Sequence, residues 1–197
     1  MAACANGPQA TPPKPFRSNK AVNHGSIPRP TCVKLRPAGG GDLSFLESLR
    51  LFTMREVVER HYPWNSLVQL QRIYDHLECA QIITANHQEI GLLKVHRTAA
   101  GMDLIQIQLQ TDYQNHGIGS SLLMDLQKEA LRTGRPITLK VFKSNRACRL
   151  FRRMGFSTCN EDEHRFYLRW DPETMPPDPP QAPGICPRNH DAAWPST

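Results

Sequence analysis

No stretch of this chain approaches the ~18 consecutive apolar residues that a membrane span requires. The N-terminal stretch MAACANGPQATPPKPFRSNK lacks the apolar core of a secretory signal. Together these absences lead us to expect a cytoplasmic protein with no membrane partner. The six cysteines, Cys4, Cys32, Cys79, Cys148, Cys159 and Cys186, are scattered, with no C-x-x-C and no close Cys/His spacing. That pattern argues against a zinc site and a disulfide framework, and for free thiols in a reducing compartment. His24, His76, His87, His96, His164 and His190 show no metal spacing either, so no metal is expected. Internal repeats are absent. At 197 residues the chain can bury one good core, and a second domain would be surprising.

What is present falls into three parts. Residues 1–31 are rich in Pro, Asn and small residues without periodicity, and read as a disordered arm. Residues 171–197 read as a similar tail, because dense prolines remove backbone donors and block helix and sheet alike. Between them, 32–170 reads as one mixed α/β domain. CVKLRPA (32–38) is a short strand, and GGGD turns into a helix with Asp42 as N-cap. Phe45, Leu46, Leu49 and Phe52 give that helix an apolar stripe, running to about His61. Leu67, Leu70, Ile73, Tyr74 and Leu77 mark a second helix. AQIITA (80–85) and EIGLLKVH (89–96) form a hairpin, followed by LIQIQLQ (104–110), in which Ile105, Ile107 and Leu109 share one face. Ile118, Leu122, Leu123, Leu126 and Ala130 mark the next helix, stopped by Gly134 and Pro136. ITLKVF (137–142) follows as a parallel neighbour. A helix with Ala147, Leu150, Phe151 and Met154 precedes a last strand, HRFYLRW (164–170), reached through a polar turn, EDEH. The predicted order is β-α-α-β-β-β-α-β-α-β.

QNHGIG (114–119) lies between a strand and a helix, where backbone N–H groups can hold phosphate. A P-loop would need a lysine after the glycines, and none follows. A dinucleotide fingerprint would need a third glycine where Leu122 stands, and an acidic residue some way on. Both nucleotide readings fail. Gln114-x-x-Gly117-x-Gly119 instead resembles the acyl-coenzyme A loop of the GNAT acetyltransferase superfamily. Asn145-x-Ala147-x-x-Leu150-Phe151-x-x-x-Gly155-Phe156 resembles the later helix of the same superfamily. TMREVVERHYPW looks like the early helices of its bacterial members. The resemblance covers about 34–170.

That resemblance implies the acyl-CoA N-acyltransferase fold: a central mixed sheet, an antiparallel meander, a splayed parallel pair and helices on both faces. It implies acetyl-CoA as cosubstrate. Backbone N–H groups of Gln114, Asn115, His116, Gly117, Ile118 and Gly119 would take the pyrophosphate, with Ser120 or Ser121 adding a hydroxyl. Leu109 and Gln110 would meet the pantetheine arm and supply an oxyanion donor, and Asn145 would bond the cofactor while opening its helix. An amine would attack the thioester directly, which requires a base and a proton for the leaving thiolate.

Two familiar positions depart from the family pattern. Gln108 stands where a carboxylate is common, and Phe151 where a tyrosine often protonates the thiolate. Glu59, with His61 behind it, is therefore the candidate base, against the plainer reading of a solvated helix face shared with Arg55 and Arg60. Tyr167 and Tyr113 are candidate acids, against ordinary strand and packing roles. Cys148 is not expected to act as a nucleophile. Six cations and no acid lie between Lys140 and Arg153, which suits the cofactor's phosphates or a solvated helix face. Nucleic acid ranks last as a partner, since no aromatic platform accompanies the stripe. The expected acceptor is an amine on a small molecule, peptide or protein, and a homodimer is left open. The alternatives are a fold-sharing module that binds acyl-CoA without efficient turnover, and a basic interaction protein.

Overall fold

The computed structural model describes residues 32–172. The expected arm 1–31 and nearly all of the expected tail 171–197 lie outside the described residues. Seven strands form one sheet in the order β1-β2-β3-β4-β5-β7-β6. They are β1 (Val33–Pro37), β2 (Ala80–Ala85), β3 (Gln88–Arg97), β4 (Met102–Leu109), β5 (Ile137–Phe142), β6 (Ser157–Glu161) and β7 (Arg165–Trp170). Every pairing is antiparallel except β4 with β5. Among the described residues four α-helices flank the sheet: α1 (Leu43–Glu59), α2 (Ser66–Tyr74), α3 (Ile118–Thr133) and α4 (Ala147–Arg153). This is the mixed α/β architecture expected, with helices on both faces. Among the described residues no helix is long and apolar enough to cross a membrane.

α3 and α4 cover one face. Leu122, Leu123, Leu126 and Ala130 pack there against Leu93, Val95, Leu104 and Leu139. α1 and α2 cover the other face with a smaller cluster, in which Leu46, Leu49 and Ile73 meet Ile82 and Leu92. β3 is covered on both sides, so it reads as an almost continuous apolar run broken by Lys94. That lysine is fully buried. Its Nζ donates to the carbonyls of Ile73 (3.0 Å) and Asp75 (2.6 Å), a cation satisfying the open end of α2. Burial pushes its pKa down to about 8.

Several expectations need correction. Asp42 occupies the N-cap position of α1 but its carboxylate does not cap that helix. It accepts from the Gly39 N–H (2.8 Å) and from Arg36 (2.7 and 2.9 Å), which also pairs with Glu89, so it closes the preceding turn and pins it to β1. Phe52, Leu67 and Tyr74 are exposed, not core. α2 is turned so that Gln69 and Ile73 face inward, because the Arg50 Nε of α1 donates to Gln69 Oε1 at 2.9 Å. β6 was not expected: all its residues are exposed and it carries no apolar alternation. Glu161 belongs to that strand, while Asp162 Oδ1 holds the turn by accepting from the N–H groups of His164 and Arg165.

The alternation expected along β4 also fails, and the reason matters for the site. Lys94 pairs with Gln106 but Val95 pairs with Leu104, so Ile105 is an extra residue in a bulge. A bulge flips the face that each later residue occupies. Leu104 therefore joins Ile107 and Leu109 on the α3 side, and Gln106 and Gln108 point to the α1 side.

Candidate active site

The bulge sits where β4 leaves β5. The two strands pair only from Met102–Leu104 against Ile137–Leu139, after which they separate. Beyond that point β4 runs on to Leu109 and β5 to Phe142. The Gln110 N–H donates back to Ile90 of β3 at 2.8 Å. In an antiparallel ladder the groups facing a neighbour alternate, so Ile107 and Leu109 turn their own N–H and C=O into the gap. Of the two expected oxyanion donors, Gln110 is thus engaged and Leu109 is the one facing the opening. The Leu109 carbonyl accepts from Gln114 Nε2 at 2.9 Å. Gly91, opposite Leu109, permits this approach: a Cβ there would run into the Gln108 carbonyl and the Leu109 side chain. Nothing in the sequence pattern singled out Gly91.

After a tight turn at Thr111–Tyr113 the chain enters QNHGIG. Tyr113 donates to Gln88 Oε1 at 3.1 Å and packs on the larger core, as the plainer reading had it. The Gln114 N–H is used by Thr111 C=O at 3.1 Å. Asn115 (φ 63°) and Gly117 (φ 84°) are left-handed, a conformation that glycine adopts without penalty. From Asn115 to Ser120, six consecutive backbone N–H groups donate to no group among the described residues; the helical ladder resumes with Ser121 N–H on Gly117 C=O at 2.9 Å. Part of that run is the open N-terminus of α3, where partial positive charge accumulates. A pyrophosphate fits this donor set. The space beside Gly117 is open, whereas a Cβ on Gly119 would press on Leu150 of α4 at 3.3 Å, so Gly119 also serves packing between the two helices. His116 Nδ1 is buried and has no hydrogen-bond partner among the described residues.

Asn145 opens α4 as expected: its Oδ1 accepts from the Ala147 N–H at 2.9 Å. Its amide nitrogen makes no hydrogen bond among the described residues, so one side chain can both start the helix and reach a ligand. Phe151 is buried edge-on against Phe156 at 5.8 Å. Cys148 is buried, its thiol donates to Phe142 C=O at 3.3 Å, and burial pushes its pKa up, none of which suits a nucleophile. In the basic stripe, Lys140 lies over Tyr167, and Lys143 and Arg152 over Phe166. Arg146 and Arg149 remain exposed at the start of α4.

On the α1 side the chain after α1 reaches the end of β5. His61 crosses to the β5–α4 turn, where its Nε2 lies 2.9 Å from Ser144 Oγ. The ring stacks on Phe142 at 5.1 Å and 6°, and meets His164 at 4.8 Å. Tyr62 stands edge-on to His164 at 5.1 Å, completing an aromatic wall. Glu59 is not brought into this cluster. Its carboxylate accepts from Arg55 Nε at 2.8 Å on an exposed helix face, and Glu56 pairs likewise with Arg60. Tyr167 donates to Asp162 Oδ2 at 3.0 Å, which pushes its hydroxyl pKa up. Of the four candidates for acid–base chemistry, Glu59, His61, Tyr113 and Tyr167, His61 alone joins this cluster. Phe142, Ser144 and His164 were not singled out from the sequence; the only signal for Ser144 was its place beside Asn145.

Comparison with known proteins agrees with this geometry. Residues 64–172 match the family described as acetyltransferase (GNAT) domain. The spermidine N(1)-acetyltransferase of Escherichia coli K12 is 27% identical over 158 residues, covering 72% of this chain and 82% of that protein. Among solved structures, an acetyltransferase from Thermus thermophilus superposes with a TM-score of 0.58 at 17% identity, over 71% of this chain and 97% of that one. The PaiA N-acetyltransferase of Thermoplasma acidophilum, in complex with coenzyme A, gives 0.56 at 17% identity, over 71% and 98%. With the family match spanning more than half of its length, and with the splayed strands and glycine turn in place, the chain belongs to the GNAT acetyltransferase family.

Proposed function

We propose that this protein moves the acetyl group of acetyl-CoA directly onto an amine. The observation that carries the reading is the run of six unused N–H groups from Asn115 to Ser120, set at the mouth of the splayed strands. In this reading those groups hold the pyrophosphate, with the hydroxyls of Ser120 and Ser121 beside them. Arg146 and Arg149 attract the remaining phosphate, and Asn145 bonds the pantetheine arm. The arm lies in the gap as a pseudo-strand against Ile107 and Leu109. The Leu109 N–H receives the charge that develops on the thioester oxygen. A lysine-like amine, with a pKa of about 10.4, loses one proton to solvent before it attacks and a second as the amide forms, so a proton acceptor for the second is needed on the α1 side. His61 occupies that place. The wall of Tyr62, His61 and Phe142 suits an acceptor that presents a cation to aromatic faces, and spermidine is a reasonable first probe given the relative that acts on it. We place the protein in the cytoplasm.

A second reading is a module that binds acyl-CoA with little turnover. Gln108 and Phe151 favour it, because neither can trade a proton at neutral pH. One titration tests the common ground. Calorimetry with acetyl-CoA should show saturable binding. Gly117→Trp, whose bulk enters the open side of the loop, should weaken it by about 100-fold or more, roughly 3 kcal/mol. Circular dichroism on the same sample reports whether the variant is folded. Absence of binding up to millimolar cofactor would overturn both readings. Binding without transfer to any amine would favour the second.

A further inference from the structure

We infer that His61 and Ser144 form a proton relay that carries the acceptor amine's proton to the departing thiolate, an inference that rests on the acetyl-transfer reading above. The two familiar places for acid and base hold Gln108 and Phe151, and Phe151 is buried against Phe156. The other charged or phenolic groups considered are engaged elsewhere: Glu59 by Arg55, Glu56 by Arg60, Tyr167 by Asp162 and Tyr113 by Gln88. One pair joins the end of α1 to the turn after β5. His61 comes from the end of α1, on the acceptor side. Ser144 sits in the turn between Phe142, the last residue of β5, and Asn145, on the cofactor side. They meet at 2.9 Å across 83 positions of sequence. The imidazole is fixed by stacking on Phe142 and by contact with His164, so Nε2 is aimed at the hydroxyl and Nδ1 faces away from it. Nδ1 makes no hydrogen bond among the described residues.

Once the ammonium form has given one proton to solvent, the relay balances for the neutral amine without a further acid or base. The amine nitrogen bonds to the acetyl carbon, and the carbon–sulfur bond breaks. The proton lost by nitrogen goes to His61 Nδ1. The proton on His61 Nε2 passes to Ser144 Oγ, and the Ser144 hydroxyl proton passes to the sulfur. One proton has moved from nitrogen to sulfur. His61 has changed tautomer, Ser144 is unchanged, and neither side chain has gained charge. Solvent exchange resets the imidazole before the next turnover. A hydroxyl does for the thiolate what Phe151 cannot, and an imidazole does for the amine what Gln108 cannot.

The test measures thiol release from acetyl-CoA by the full chain, with spermidine, benzylamine and an N-terminal alanine peptide as nucleophiles. Water serves as a fourth, since the same relay balances for it. Acetyl-CoA affinity is measured separately on every variant by calorimetry. Ser144→Ala and His61→Gln should each lower kcat by about 100-fold, within the span of general acid–base catalysis. Affinity for acetyl-CoA should stay within about twofold, and the double variant should be no slower than the slower single, because the two residues act as a unit. Ser144→Thr, which keeps the hydroxyl, should recover most of the rate. In mixtures of light and heavy water, the wild type should give a curved dependence of rate on deuterium fraction, reporting several protons in flight. Ser144→Ala should give a straight line. A kcat of Ser144→Ala within about twofold of wild type, or losses that multiply in the double variant, would overturn the relay. So would bound acetyl-CoA that releases no thiol with any of the four nucleophiles, a result that leaves the cofactor reading standing. Failure to bind acetyl-CoA at all would remove the cofactor reading, and the relay with it.

Discussion

The two faces of the sheet are held by different chemistry. Under α3 and α4 the core is large and apolar, and Leu123 at its centre is fully buried. Under α1 and α2 the apolar cluster is smaller, and buried polar groups share the work: Arg50 with Gln69, Lys94 with the end of α2, and Gln108 beside the gap. In the proposed function the first face carries the cofactor loop and the second carries the acceptor wall. An apolar core fixes a helix by shape, which suits a loop whose N–H groups must hold one geometry. A polar core fixes a helix by specific bonds at one rotation.

The difference can be broken most strongly on the apolar side. Leu123→Ala should cost about 3 kcal/mol, through lost transfer energy and a cavity that the packed helix cannot close. Urea unfolding should show the midpoint falling with an unchanged slope. On the polar side, Arg50→Met alone should cost about 1–2 kcal/mol, because it leaves the Gln69 carbonyl oxygen buried without a donor. Burial already pushes the Arg50 pKa down to about 10, so the charge itself is held at a cost. Adding Gln69→Leu should return most of the loss, since removing both partners removes the unmet need. If the double variant stays as unstable as the single, the polar link is more than mutual satisfaction.

The smallest effect lies at the edge of the apolar face. Arg97 donates to both oxygens of Glu129 at 2.6 and 2.9 Å, which holds that carboxyl below its ordinary value. The contribution to stability is therefore present above the unfolded-state pKa of about 4.3 and is lost as pH falls through the lower folded value. Part of the pair is open to solvent, so about 0.5 kcal/mol is expected. Thermal melts between pH 3 and 7 should show Glu129→Gln losing stability relative to wild type only at the upper end of that range.

How much of this was legible differs between the faces in the same way. The stripe on α3 and the strand β5 have the bounds that their apolar spacing predicts, because each must bury one continuous row of side chains. The glycine turn was legible as a phosphate loop by its place between strand and helix. On the other face, Phe52, Leu67 and Tyr74 misled: hydrophobic spacing cannot see that a glutamine will be turned inward to meet an arginine nineteen positions earlier. β6 escaped because an exposed edge strand needs no apolar pattern. The bulge at Ile105 left no composition signal, yet it turns Gln106 and Gln108 to the α1 side where β4 leaves β5.

The sequence by itself determined the class of fold, the order of nearly all its elements, and the loop that resembles a cofactor cradle. These depend on local spacing and on glycine's backbone freedom, both of which are written along the chain. Only the tertiary structure decided which N–H groups stay unused, which way the end of β4 faces, and which of the four candidates for acid–base chemistry meets the β5–α4 turn. Those outcomes depend on contacts between residues far apart in sequence. His61 was a candidate from the sequence and Ser144 was not, and it is the fold that brings them within 2.9 Å across 83 positions.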